Sequence, residues 1–292
     1  MLHHGPSLLR LALPAIPDSL QVCDELNLGI DGAPAQQKHL SIRKPLIGAA
    51  TAALFYELTG SEFGIEQARR IGARATSAVW IADHIIDDFG FQPATKVAIL
   101  RKLSDSIESG RRHSFPESER LEHVSLMLSH VNRLVSGAPN PDAFIGTFVE
   151  LAQAAIKQIT LPPCIDTAME VGGLSSKLIA SIPFCWKRDC DELLRAAVAL
   201  GGYLQIFDDL LDREHDLKHD IRTFATIEEN QAVLFDSALE QAQKKIDEAY
   251  AVLPKSQHWA LDLLLQGALC GSKQLRTFRH IAPLPRTRWA GS

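Results

Sequence analysis

Apolar residues recur at helical spacing along most of this chain, while the alternating β-branched runs of strands are almost absent. Val97, Leu100, Leu103 and Ile107 form one stripe; Leu121, Val124, Met127, Leu128, Val131 and Val135 form another. Ile145, Phe148, Ala152, Ala155, Ile156 and Ile159 form a third, and Leu239, Ala242, Ile246, Ala249 and Val252 a fourth. Steps of three and four put such residues on one face of an α-helix. Breakers separate the stripes: Gly90 to Pro93, Ser114 to Pro116, Gly137 to Pro141 and Pro162-Pro163. None is a long linker, and the chain has no internal repeat or low-complexity tract. The pattern predicts an all-α chain with a single helical domain over residues 36–282. A Pro-rich, weakly patterned arm over 1–35 and a tail over 283–292 are expected to be loosely held.

With 292 residues and 46% hydrophobic content, the chain can bury a substantial core. It has no run of about 18 uncharged apolar residues, so no transmembrane segment is expected. The apolar stretch from Leu8 to Ile16 is short and broken by Arg10 and Pro14, unlike a secretory signal. The expected location is the cytoplasm. Cys23, Cys164, Cys185, Cys190 and Cys270 are scattered and odd in number, which fits buried thiols in a reducing compartment. A net charge of −5 without a basic run argues against nucleic acid as a partner. It also suits a phosphorylated ligand poorly, unless metal ions lie between ligand and protein.

Two segments are apolar around much of their circumference, residues 66–88 and 191–212, and each ends in aspartates. The first cluster is Asp83-His84-Ile85-Ile86-Asp87-Asp88; the second is Asp208-Asp209-Leu210-Leu211-Asp212, followed by Glu214 and Asp216. At about 3.6 residues per turn, Asp83 lies beneath Asp87, and Asp208 beneath Asp212. Like charges so placed repel, and beside apolar turns their burial is costly. A cation that neutralises them is the economical explanation, and carboxylate oxygens suit Mg²⁺. Two such helix ends facing each other would hold several Mg²⁺ ions, with room for a diphosphate between them. Taken singly, an acidic pair on a helix is more often a solvated face. His215 and His219 have a spacing that zinc can use, but the charged run around them reads rather as an exposed loop.

The second cluster carries a resemblance. Gly201-Gly202-Tyr203-Leu204-Gln205-Ile206-Phe207-Asp208-Asp209-Leu210-Leu211-Asp212 is similar to the second aspartate-rich motif of polyprenyl diphosphate synthases, G-x-x-F-Q-x-x-D-D-x-x-D, with Leu204 in place of the aromatic. The first cluster resembles their D-D-x-x-D motif with His84 in place of the second Asp, or the D-x-x-x-D of squalene and phytoene synthases. Arg43-Lys44-Pro45-Leu46, Val171 to Leu178 and Asp220-Ile221-Arg222-Thr223 are weaker traces of the same family. The resemblance covers roughly residues 38–230 and implies the class I isoprenoid synthase bundle, a ring of helices around a central apolar cavity. It implies Asp83, Asp87, Asp208 and Asp212 as catalytic metal ligands, with Asp209 binding metal directly or behind them. Lys177 and Arg222, and after them Arg43, Lys44 and Lys218, are the candidate diphosphate contacts. Trp80, Tyr203, Gln205 and Phe207 are candidates to line the cavity, where aromatic faces attract a cation.

The departures narrow the expected reaction. Chain-elongating relatives bind isopentenyl diphosphate through an early G-K-x-x-R-P-like stretch and an arginine pair after the first motif. Here the chain reads Leu40-Ser41-Ile42-Arg43-Lys44-Pro45, and Phe89-Gly90-Phe91-Gln92-Pro93 follows Asp88. A second diphosphate would lack cations to meet its charge. The expected activity is therefore that of a Mg²⁺-dependent terpenoid synthase ionising one allylic prenyl diphosphate and cyclising or rearranging the cation. The alternatives are head-to-tail prenyl transfer, squalene-like head-to-head condensation, and a non-catalytic homologue that binds prenyl ligands. A homodimer through the Leu261–Leu265 stretch is left open.

Overall fold

The computed structural model describes residues 11, 13–25, 35–59, 64–88, 91–187, 191–218, 221–227 and 231–271. They are all-α, with no strand among them. The α-helices in chain order are α1 (Ile16–Glu25), α2 (Ala35–Thr59), α3 (Ile65–Asp88), α4 (Pro93–Ser109), α5 (Glu119–Val135) and α6 (Asp142–Thr160). They continue as α7 (Ile165–Ala180), α8 (Asp191–Lys218), the single turn α9 (Phe224–Ile227), α10 (Gln231–Val252) and α11 (His258–Gly271). The helix boundaries follow the breakers. Pro93 opens α4 at a position where its missing N–H costs nothing. Gly110 closes the same helix at φ 69°, a left-handed conformation that glycine adopts without strain. Among the described residues no helix is long and apolar enough to cross a membrane.

The chain divides into two compact units, residues 1–159 with 178–190, and residues 160–177 with 191–292. In the first unit α2 and α3 form the principal pair, α5 packs on α3 and α4, and a 3₁₀ turn at Ile182–Cys185 packs on α2 and α3. The α2–α3 crossing is set by glycine. A Cβ on Gly72 would lie 2.5 Å from the Gly48 carbonyl oxygen and 2.5 Å from the Ala52 Cβ. The stripe of α5 is buried throughout, whereas α6 turns by about one position to bury Phe144, Thr147, Leu151 and Ala154 beside Phe148 and Ala152.

Part of the stretch expected to be a loose arm is a packed helix. On α1, Val22 and Ser19 are fully buried, and Asp18 reaches Arg70 Nε at 3.2 Å and Arg69 Nε at 3.8 Å on α3. A second difference is Pro45, which lies inside α2 although it lacks the N–H that would bond four residues back. Of the cysteines, Cys23 and Cys185 are buried and Cys164 is exposed; Cys190 lies outside the described residues, as do the Cys270 side chain and the tail from 283 to 292.

In the second unit α8 packs lengthwise on α10 and touches α9, and α11 returns onto α10. The Tyr250 hydroxyl of α10 donates to the Asp262 carboxylate of α11. Ala238, Ala242, Ile246 and Ala249 form the buried face of α10, close to the predicted stripe.

Candidate functional site

The longer aspartate cluster belongs to α8, and its geometry starts from glycine. α7 and α8 approach so closely that a Cβ on Gly201 would strike the Gly172 carbonyl oxygen. A Cβ on Gly172 would lie 2.6 Å from the Gly201 oxygen and would also strike the Gln205 Cβ. Gln205 is thus held against the α7 backbone. From there its Nε2 donates to Asp209 Oδ1 at 2.7 Å, one turn further along α8. Asp209 is only 5% exposed, and a carboxylate so placed needs such a donor.

The remaining acids follow the helical repeat. Asp208 is exposed, Asp212 half-buried, and Asp216 buried at 7% exposure, because α8 runs on to Lys218 without a break. Asp208 and Asp212 are separated by about 6 Å along the axis. Beyond them, Arg213 Nε donates to the Ala225 carbonyl at 2.8 Å, and the Ile221 N–H donates to the Asp216 carbonyl at 2.9 Å. These bonds tie the end of α8 to α9. Arg222 is exposed between the two helices, while the Thr223 hydroxyl is buried without a hydrogen-bond partner among the described residues. Lys218 is exposed at the end of α8, and Lys177 is half-buried in the last turn of α7. His215 belongs to the helical span of α8, not to a loop; its side chain, with His219 and Asp220, lies outside the described residues.

Tyr203 and Phe207, expected to line a cavity, are 4% and 1% exposed, with ring centroids 4.9 Å apart at a tilt of 52°. Burial pushes the Tyr203 phenol up to about 12. Gln205, also expected to line the cavity, is half-buried and spends its amide on Asp209.

The first cluster ends α3 in the other unit. Asp83 and His84 are exposed. The His84 ring stacks on Trp80 one turn earlier, with centroids 5.7 Å apart and planes 14° apart. Lys44 of α2 is exposed and holds its Nζ 5.8 Å from the Trp80 centroid, within cation–π reach. The Trp80–His84 spacing was visible in the sequence; the convergence of Lys44 on the same ring was not. Asp87 belongs to α3, but its side chain and that of Arg43 lie outside the described residues.

Among the described residues no group of three or more His, Cys, Asp or Glu side chains is gathered as metal ligands. The type of donor nevertheless fits Mg²⁺. Asp208 and Asp212 present carboxylate oxygens one turn apart, and the chain that follows them carries a buried hydroxyl and an exposed guanidinium. Comparison with known proteins finds no family model and no curated protein that matches the chain.

Proposed function

We propose that this chain is a Mg²⁺-dependent class I terpenoid synthase that ionises an allylic prenyl diphosphate, releases diphosphate, and cyclises or rearranges the cation. The observation that carries the reading is the relay from Gly172 through Gln205 to Asp209. It explains in physical terms why a G-x-x-x-Q-x-x-D-D spacing is useful: the first glycine of α8 admits the neighbouring helix, and the glutamine steadies the buried acid. Asp208 and Asp212 are left on the accessible side as oxygen donors, and Asp83 and Asp87 have the same spacing on α3.

The chemistry that Mg²⁺ supplies when bound to such carboxylates is stabilisation of the charge that develops on the departing diphosphate. Arg222 and Lys177 add charge-assisted hydrogen bonds to its oxygens. Asp209 acts from behind Asp208 and fixes the helix turn that presents it. The lack of an arginine pair after Asp88 limits the protein to one diphosphate. The same reading makes it a cytoplasmic enzyme whose partner is a small-molecule diphosphate and not nucleic acid.

The test is product analysis by mass spectrometry after incubation with allylic diphosphates of increasing chain length, with and without isopentenyl diphosphate. The expected product is a hydrocarbon or alcohol from the allylic substrate alone, formed only with Mg²⁺ and lost in Asp208→Ala. A longer linear diphosphate, formed only with isopentenyl diphosphate, would reassign the chain to elongation. Turnover of none of the substrates would overturn the proposal.

A further inference from the structure

The connection between α4 and α5 reads Arg111-Arg112-His113-Ser114-Phe115 and is not helical. Arg111, Arg112 and Ser114 are exposed, while Phe115 is 1% exposed and anchors the segment in the core of the first unit. The His113 N–H donates to the buried Ser125 hydroxyl at 2.7 Å, so the backbone is fixed on both sides of Ser114 and its hydroxyl points outward.

That hydroxyl lies in a strongly charged setting. Ser114 Oγ donates to Glu122 Oε1 at 2.9 Å, Phe115 N–H to the same oxygen at 3.2 Å, and Arg112 Nη2 to Glu122 Oε2 at 3.0 Å. These donors hold the Glu122 carboxyl below its ordinary range, the Ser114 bond contributing most. Lys102 Nζ donates to the Ser114 carbonyl at 3.2 Å. Two cations therefore stand beside Ser114, Arg112 and Lys102, with Arg111 exposed just before them.

We propose that Ser114 is a phosphorylation site for a protein kinase that recognises arginines two and three residues before its serine. An acidic substrate groove would meet the exposed Arg111 and Arg112 by charge. Ser104 has a similar basic pair before it, Arg101-Lys102, but it lies inside α4, where the backbone is closed into the helix. In the reaction Ser114 Oγ bonds to the γ-phosphorus of ATP. The bond from that phosphorus to the β,γ-bridging oxygen breaks, ADP leaves, and the hydroxyl proton passes to the kinase base and then to solvent. The product carries about −1.5 to −2 charge at neutral pH, directly against Glu122. Repulsion would expel Glu122, and Arg112 and Lys102 would turn to the phosphate. The inference is independent of the reaction assigned to the aspartates.

The experiment uses the folded full-length chain, Mg-ATP and a purified serine kinase of Arg-Arg-x-Ser preference, with intact-mass measurement and peptide mapping. The expected result is a single phosphoryl group on Ser114, absent from Ser114→Ala and retained on threonine in Ser114→Thr. Replacing both arginines (Arg111→Gln with Arg112→Gln) should slow the reaction by about tenfold or more, the scale of one lost hydrogen bond to a charged group. Incorporation mapped to Ser104, undiminished incorporation in Ser114→Ala, or phosphorylation seen only after denaturation would each overturn the proposal.

Discussion

Gly201 of α8 rests against the carbonyl oxygen of Gly172 of α7, with no room for a methyl group on either residue. The same close approach packs Gln205 against α7 at Gly172, and one turn further along α8 its amide donates to Asp209.

Gly201→Ala should therefore destabilise the protein by about 1–3 kcal/mol, since the obstruction is backbone that cannot move aside. Gly146→Ala is the control: it is helical, nothing lies within 4 Å of a new Cβ, and it should stabilise by about 0.5–1 kcal/mol. Urea unfolding of both variants measures the contrast; equal effects would remove the steric account.

Gln205→Ala removes the 2.7 Å donor from a buried carboxylate. The expected cost is about 1.5–3 kcal/mol in stability. Under the proposed reaction kcat should also fall, while Gln205→Asn, too short to reach, should resemble alanine. Denaturation and steady-state kinetics on the same preparations separate the two effects.

Asp18 joins α1 to α3 through Arg70 and the largely buried Arg69, whose side chain is 11% exposed. Asp18→Asn leaves Arg69 without its carboxylate and should cost about 1–3 kcal/mol. Limited proteolysis should then cut within α1 first. Unchanged protease resistance would argue that the helix is held by its apolar face alone.

Cys185 and Tyr203 give the protein a predictable weakness in alkali. Burial pushes the Cys185 thiol from 9.0 up to about 12 and the Tyr203 phenol from 10.0 up to about 12. Between these limits the folded state retains protons that the unfolded state has lost, so stability is intact below pH 9 and falls as pH rises towards 12. Cys164 behaves oppositely. Its hydrogen bonds with Thr167 hold the exposed thiol below the ordinary range, so alkylation at neutral pH should modify Cys164 ahead of Cys185. Denaturation midpoints across this pH range and mass mapping of the alkylated peptides test both statements.

The periodicity of α5 and α10 was legible because the apolar face of each is also its packing face. α6 was read about one position out of register, since Phe144, Thr147 and Leu151 complete a face that Ile145, Ile156 and Ile159 only border. α2 escaped the reading because proline inside a helix ordinarily marks its end, and Pro45 does not. At the aspartates, spacing located Asp208 and Asp212 correctly on one helix. It did not reveal that Asp209 turns inward to Gln205, because helical repeat gives direction around the axis but not what lies on each side. Lys44 over Trp80 is a meeting of two helices, and no local pattern encodes it.

The Arg213–Ala225 and Asp216–Ile221 bonds fasten the last turns of α8 to Ile221 and to α9. Because these bonds join the turns that follow Asp212 to α9, a ligand that grips Asp212 should also still α9. Amide hydrogens at Ile221 and Thr226 should accordingly report occupancy of the acidic turn, slowing their exchange together when a ligand arrives.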